Sequence, residues 1–400
     1  MITRHQGRWT PADRAESRYR YLPFDVPAAA AGLTVTVLYD RSRGVLDLGL
    51  FDPQRFRGWS GRERKRVVVA PDAATPGYLP GELPAGTWSV TLALHRVPAD
   101  GLDFEVAVEV GPVTLEPPPP PVPRPERPPR RDIPAHGGRR WLAGDLHAHT
   151  VHSDGRLTID ELASLARSRG LDFLAVTDHN TTSHHPALVP ASARLGIVLV
   201  PGQEVTTDEG HANCFGDTGW IDFRMHADAW LASAEAAGGS LSINHPLAGD
   251  CRWRRPMSRR PPLAEVWHSS WDRGAPLQLA WWAGWGVGPS MGGGHAIGGS
   301  DFHRLGDDGL PGQPTTWRET EDEDVLGALA AGRTAISAEP SGPLLVRHDG
   351  ELLALDAAGA VLHGADGSQR AIRSDRDSFS VAAGPWWLTA ADGRCVALSA

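Results

Sequence analysis

The segment Asp145-Leu146-His147-Ala148-His149-Thr150-Val151-His152-Ser153-Asp154-Gly155 carries three histidines and two aspartates in eleven positions, directly after a short apolar run. Imidazole nitrogens and carboxylate oxygens are donors that divalent cations accept. Side chains alternate with period two along an extended chain, so His147 and His149 point the same way and can grip one ion. For an isolated His-X-His pair, a polar turn with chance histidines is the competing account. Four later segments decide against it. Phe173 to Val176, Ile197 to Val200, Leu241 to Ile243 and Ala296 to Gly298 are predicted strands, and each is followed by further donors. These are Asp178 and His179 in the TDHN block at 177–180, Glu204 in the PGQE block at 201–204 with His211 soon after, His245 in the NHP block at 244–246, and Asp301 and His303 in the SDFH block at 300–303. One polar residue after a strand is usually a cap or turn. Five strands releasing His, Asp or Glu at the same topological point describe a shared site, because in a barrel of parallel strands those points converge on the C-terminal face.

Composition narrows the chemistry. Cys214, Cys251 and Cys395 are an odd, widely spaced set, which argues against a disulfide framework and a thiolate zinc site. Any metal must use nitrogen and oxygen ligands, and Cys214 reads as buried filler. Lys65 is the single lysine, so the rest of the chain offers no Schiff-base or P-loop lysine. Anionic substrate groups would meet Arg, His or metal. A net charge of -9 disfavours long nucleic acid as a partner. No apolar run is long enough to span a bilayer, and MITRHQGRWTPADRAESRYR contains no apolar leader core. The expectation is a cytoplasmic protein acting on a small molecule, without a membrane partner; the oligomeric state is open.

The elements that must position these residues follow from the patterning. Residues 1–115 read as a β-sandwich-like domain: runs such as Leu33 to Tyr39, Val45 to Phe51, Trp88 to Leu94 and Phe104 to Val110 alternate or are β-branched between Gly/Pro turns. Residues 116–139 are rich in Pro and Arg and read as an extended spacer with no packed core. Residues 140–342 alternate short apolar strands with amphipathic helices, the signature of an α/β domain with parallel strands. Thr158-Ile-Asp-Glu161 is a capping box for a helix running to Arg169 and stopping at Gly170, and Thr320-Glu-Asp-Glu323 predicts another. Residues 343–400 read as a small C-terminal β region.

The ordered blocks resemble the PHP (polymerase and histidinol phosphatase) domain family over residues 140 to 340. The EVTTDEGHANCFG segment, the AGRTAISAEPSGP segment at 331–343 and the leading β domain look most like its CehA/McbA-like branch. That resemblance implies a distorted (β/α)7 barrel holding two or three divalent ions. The implied ligands are His147, His149, Asp154, His179, Glu204, His211, His245, Asp301 and His303. Manganese, zinc and iron all suit such a donor set. A water held by such ions loses a proton near neutral pH, its pKa falling from about 15.7 to roughly 7, and becomes the expected nucleophile. Asp301 or His303 is the candidate catalytic proton acceptor. The expected activity is hydrolysis of small nucleotide-like phosphoesters. Aryl carbamate or ester hydrolysis, which the branch includes, is the alternative, followed by an inactive metal-binding scaffold.

On the substrate side, His268 and Trp267 are candidate contacts, and Arg252, Arg254 and Arg255 could clamp a phosphate bidentately or form a solvated basic loop. Trp267, Trp271, Trp281, Trp282 and Trp285 could wall a ring-bearing substrate or pack into the core. His152 stands where the family commonly has an aromatic residue, and His184 and His185 lie in the loop after the TDHN block.

Overall fold

Alternating β-branched runs and a run of short apolar strands separated by helices give two compact units in a computed structural model, which describes all residues except 118, 270–274, 285–293, 308, 323, 382, 383 and 400. The first unit comprises Met1–Pro121 with Val151–Asp154 and Asp178–His184. Its strands are β1 (Ile2–Trp9), β2 (Tyr19–Val26), β3 (Leu33–Tyr39), β4 (Val45–Phe51), β5 (Phe56–Gly61), β6 (Arg66–Val69), β7 (Gly86–Arg96) and β8 (Leu102–Val110), with helix α1 (Pro11–Glu16) after β1. They form two four-stranded antiparallel sheets, ordered β1-β8-β3-β6 and β2-β7-β4-β5. The inward side chains of both, among them Val35, Val106, Leu48, Leu92 and Trp88, meet in one apolar core. The backbone N–H of Gly77 donates to Ser183 Oγ at 3.1 Å, and Thr181 Oγ1 donates to the Gly77 carbonyl at 2.9 Å. These bonds tie the loop after the TDHN block to this unit.

The second unit is mixed α/β. Its strands begin with β9 (Arg140–Asp145), β10 (Phe173–Val176), β11 (Val198–Thr207), β12 (Gly210–Phe215), β13 (Ser240–Ile243), β14 (Leu263–His268) and β15 (His295–Gly299). The helices among them are α2 (Ile159–Ser168), α3 (His185–Leu195), α4 (Ala227–Ala236) and α5 (Ala275–Gly284). Strands β9, β10 and β11 pair in parallel, as do β13, β14 and β15, while β12 is antiparallel to both neighbours. Beyond the strand ends, Ala148 and Phe302 form a parallel bridge, with His149 N–H donating to the Phe302 carbonyl at 2.9 Å. Helix α2 begins as predicted, with Thr158 and Glu161 exchanging both bonds of a capping box, and it buries Ile159, Leu162, Ala163 and Ala166. Gly170, at φ +92°, supplies the left-handed residue that ends it.

Three expectations need correction. The PGQE block does not follow a strand: β11 runs on through it to Thr207, because Val205-Thr-Thr207 continues the β-branched pattern, and turns back into β12. Glu204 and His211 therefore sit on a hairpin. The second predicted cap also fails, since Thr320 pairs with Arg140 at the end of β16 (Thr315–Thr320). Asp324 instead accepts the Gly327 N–H at 3.0 Å and opens α6 (Val325–Ala330), while Glu323 lies outside the described residues. Finally, the Pro/Arg-rich segment is extended, but from Val122 onward it is docked. Arg127 and Arg130 reach Asp172 at 2.9 and 2.7 Å, Arg131 donates to the Gly342 carbonyl at 2.7 Å, and Ile133 is buried in the core.

The C-terminal strands are β17 (Thr334–Ser337), β18 (Leu344–His348), β19 (Glu351–Leu355), β20 (Val361–Gly364), β21 (Gln369–Ala371), β22 (Arg376–Phe379), β23 (Trp386–Thr389) and β24 (Cys395–Ser399). Strands β17, β24, β23, β20 and β21 extend the sheet that contains β9 and β16, and β18, β19 and β22 form a separate three-stranded sheet. No helix among the described residues is long and apolar enough to cross a membrane.

Candidate metal centre

Strand β9 ends at Asp145, and the next residues place His147 and His149 on the same side, as their spacing requires. Both rings are fully buried. Donor atoms of His147, His149, Glu204 and Asp301 all lie within 4.8 Å of one another, and so do those of His147, His245 and Glu265. His147 Nε2 is 3.2 Å from Glu204 Oε1 and 3.2 Å from Asp301 Oδ1, and His149 Nε2 is 2.9 Å from Asp301 Oδ1. His245 Nε2 is 3.4 Å and His211 Nδ1 3.1 Å from the same Glu204 oxygen. His303 stacks on His149 with ring centroids 4.2 Å apart, its Nδ1 donating to the Asp301 carbonyl at 2.8 Å. Seven of the nine predicted ligands therefore share this unit. The other two, Asp154 and His179, belong to the first unit, where they lie 3.5 Å apart.

The backbone is bent to aim these groups. His245 and Asp301 are non-glycine residues in the left-handed region, at φ +27° and +53°. Such conformations cost of order 1–3 kcal/mol each and persist only where the surroundings impose them. At the base of the site Asp145 accepts the backbone N–H of His147 at 3.1 Å, of Ser300 at 3.0 Å and of Gly312 at 2.8 Å. One carboxylate thus pins the segments after β9 and β15 together.

Two supporting residues escape a reading of the sequence. Glu265, buried on β14, approaches His147 Nδ1 at 3.1 Å and accepts the His245 N–H at 2.8 Å. Asn244 donates from Nδ2 to Glu204 Oε1 at 2.8 Å and accepts the Asn213 N–H at 3.3 Å. A lone acid inside the apolar run Leu263-Ala-Glu-Val-Trp267 was the available signal for Glu265; for Asn244 it was adjacency to His245. Gly299 makes room for them, because a Cβ there would strike Glu265 Oε1 and His147 Cβ.

The electrostatics suit a cation. Burial disfavours a charged His147 ring, yet Asp301, Glu204 and Glu265 outweigh it and hold His147 well above the usual histidine range. Burial likewise opposes ionisation of Asp301, but His147, His149, His268 and His303 pull it well below the usual carboxylate range. A field that draws a proton onto His147 draws a divalent ion more strongly. His147 Nε2 is moreover buried and faces the Glu204 and Asp301 oxygens without a well-aligned hydrogen bond to either, and in a site of nitrogen and oxygen donors such an atom is a natural metal ligand. The residues fit divalent metal.

The remaining predicted residues divide. His268 joins the centre, its Nε2 3.1 Å from Asp301 Oδ2. Trp267 is instead buried in an apolar cluster with Val266, Leu279, Trp282 and Leu398, with Trp281 packed against it, so these tryptophans have core packing as their account. Trp271 and Trp285 lie outside the described residues. Arg254 is exposed and donates to the Asp208 carbonyl in the β11–β12 turn, Arg255 lies 4.5 Å over the Trp230 ring, and Arg252 is exposed. Cys214 is buried, as expected of filler, and burial pushes its thiol up. In the first unit His152 Nδ1 is 2.8 Å from Ser183 Oγ, and buried His184 is 3.3 Å from Asp178. His185 Nε2 donates to the Gly202 carbonyl at 3.0 Å.

Residues 145–243 match the PHP domain. The 5'-3' exoribonuclease Rnm of Escherichia coli is 41% identical over 108 residues, 26% of this chain and 29% of that protein. The 3',5'-nucleoside bisphosphate phosphatase of Chromobacterium violaceum is 41% identical over 66 residues, 16% of this chain and 23% of that protein. The chain thus spans about a quarter of the length of these curated relatives. Among solved structures, a two-domain protein of Bacteroides vulgatus, described as containing a predicted PHP-like metal-dependent phosphoesterase, superposes with a TM-score of 0.44 at 17% identity, covering 68% of this chain and 98% of its own.

Proposed function

We propose that the chain is a metal-dependent hydrolase of small, nucleotide-like phosphoesters. The observation that carries this reading is the convergence of His147, His149, Glu204 and Asp301, with His245 and Glu265 beside them. The names of two relatives, an exoribonuclease and a nucleoside bisphosphate phosphatase, support phosphoester chemistry. The strand order β9 to β15 with the Ala148–Phe302 bridge supports reading this part as the distorted barrel.

His147, His149, Glu204, His245 and Asp301 would hold the metal, with His211, His303, Asp154 and His179 completing the proposed set of two or three ions. Bound divalent ions supply polarisation of the P=O group and ionisation of water near neutral pH. The chain's own residues do the rest. Asn244 and Glu265 fix the rotamers of Glu204 and His147. Burial opposes a proton on His268, but its bond to Asp301 and the charge of Glu265 outweigh that and raise its pKa. His268 Nε2 stands 3.1 Å from Asp301 Oδ2, a position from which it would protonate a departing alkoxide. The CehA/McbA-like branch is part of the proposal through the β11–β12 hairpin, which is its EVTTDEGHANCFG segment.

The test is turnover by purified protein of known metal content on nucleoside bisphosphates, nucleoside monophosphates, phosphodiesters and naphthyl carbamates. Metal-dependent release of phosphate, lost in Asp301→Asn, is expected. Turnover of carbamates alone would move the function to the aryl carbamate reading, and no turnover after reconstitution with manganese, iron or zinc would leave only a scaffold.

A further inference from the structure

His136, His348 and Asp349 form a second donor group in the same unit, and we propose that it binds a divalent transition-metal ion of the zinc type. The three donor atoms lie within 4.8 Å of one another. Glu319 sets the tautomer of His136: its Oε1 accepts the His136 backbone N–H at 2.6 Å and faces Nδ1 at 2.9 Å. With the proton on Nδ1, the Nε2 lone pair points the other way. A carboxylate on the far ring nitrogen is the arrangement that metal-binding histidines use to fix ring orientation and raise basicity. Nε2 then faces Asp349, with Oδ1 at 3.5 Å and the backbone N–H donating at 3.1 Å.

His348 closes the group. Its Nε2 is 3.4 Å from Asp349 Oδ2, its ring centroid is 4.5 Å from that of His136, and its buried Nδ1 has no hydrogen-bond partner. Zinc with bonds of about 2.0–2.1 Å has ligand-to-ligand edges of about 3.3 Å in a tetrahedron, close to the 3.5 and 3.4 Å between the two Nε2 atoms and the Asp349 oxygens they face. Asp349 is held in place by the β18–β19 turn, where it and Gly350 take φ +49° and +80°, as an Asp-Gly type I′ turn requires. Two imidazoles and one carboxylate leave a coordination position for water, and an ion there replaces the Asp349 N–H bond to Nε2. The site joins the segment before β9 to a C-terminal hairpin, so the ion acts as a clasp between them. This does not depend on the phosphoesterase reading.

The experiment titrates zinc and cobalt into full-length chain in which His147, His149, His179 and Glu204 are all replaced by Ala, which leaves no more than two donors in any of the other groups. One zinc per chain should remain, with His136→Ala or His348→Ala each weakening it at least about tenfold and Glu319→Gln about tenfold. Cobalt should give a tetrahedral visible band that His348→Ala abolishes. Unchanged zinc affinity in the folded His136→Ala/His348→Ala variant would overturn the proposal. A readout without any variant is protection of the two rings in the unaltered chain: zinc should slow diethylpyrocarbonate modification of His136 and His348, and equal modification with and without zinc would equally overturn it.

Discussion

Glu265 Oε1 lies 3.1 Å from His147 Nδ1, so the acid at the centre of β14 grips the far nitrogen of the ring whose near nitrogen faces Glu204 and Asp301. Glu265 thereby fixes both the tautomer and the rotation of His147. Glu265→Gln, which keeps size and one acceptor, should weaken metal binding about 10–100-fold while leaving the fold intact. Metal affinity measured by competition, alongside circular dichroism, checks this. Unchanged affinity would show that His147 needs no support.

Gly299→Ala should cost as much without altering any ligand. A methyl there collides with Glu265 Oε1 and His147 Cβ, so either the ligand moves or β15 does. The expected signature is metal affinity lowered at least about tenfold, with activity partly recovered at high metal concentration. A variant with ordinary affinity would mean that the strand yields instead.

Metal removal should expose an alkaline weakness. In the metal-free chain the proton on His147 offsets Asp301, Glu204 and Glu265, and its folded-state pKa is raised. That contribution is full below the unfolded value of about 6.5 and is lost as pH rises through the raised value. Chelated protein should therefore lose thermal stability from neutral to alkaline pH, while metal-loaded protein should not. Melting curves at pH 6 to 9 with and without chelator decide it, and parallel curves count against the cluster as the source.

Asp172 carries the docking of the Pro/Arg-rich segment. Its Oδ1 receives Arg127 and Arg130, and its Oδ2 accepts the Ala143 N–H at 3.1 Å. Asp172→Ala should lower stability by about 2 kcal/mol, since it strands a partly buried guanidinium and a buried amide. Limited proteolysis should cut residues 122–139 faster in the variant, and an unchanged cleavage rate would contradict this anchoring.

Much of the centre was legible because its grammar is local. His147 and His149 announce themselves by strand period, and the NHP and SDFH blocks by their place after apolar runs. Glu265 was hidden because its role is a distance to His147 across the sheet, and spacing along one strand carries no such information. Glu204 was found but misplaced, since nothing in Pro201-Gly202 says that the strand continues through it. The Pro/Arg segment read as a spacer because its partner, Asp172, lies more than forty positions away. Arg252 and Arg254 were grouped with the centre by nearness to His245 in sequence, whereas Arg254 turns to the β11–β12 hairpin.

The three amides gathered on Asp145 have a consequence for how this protein can change. Ser300 and Gly312 are fastened to the same carboxylate that holds the His147 amide, so three points far apart in sequence share one anchor. A change at Asp145 would release all three amides at once, and the ligands His147 and Asp301 would lose their common footing together.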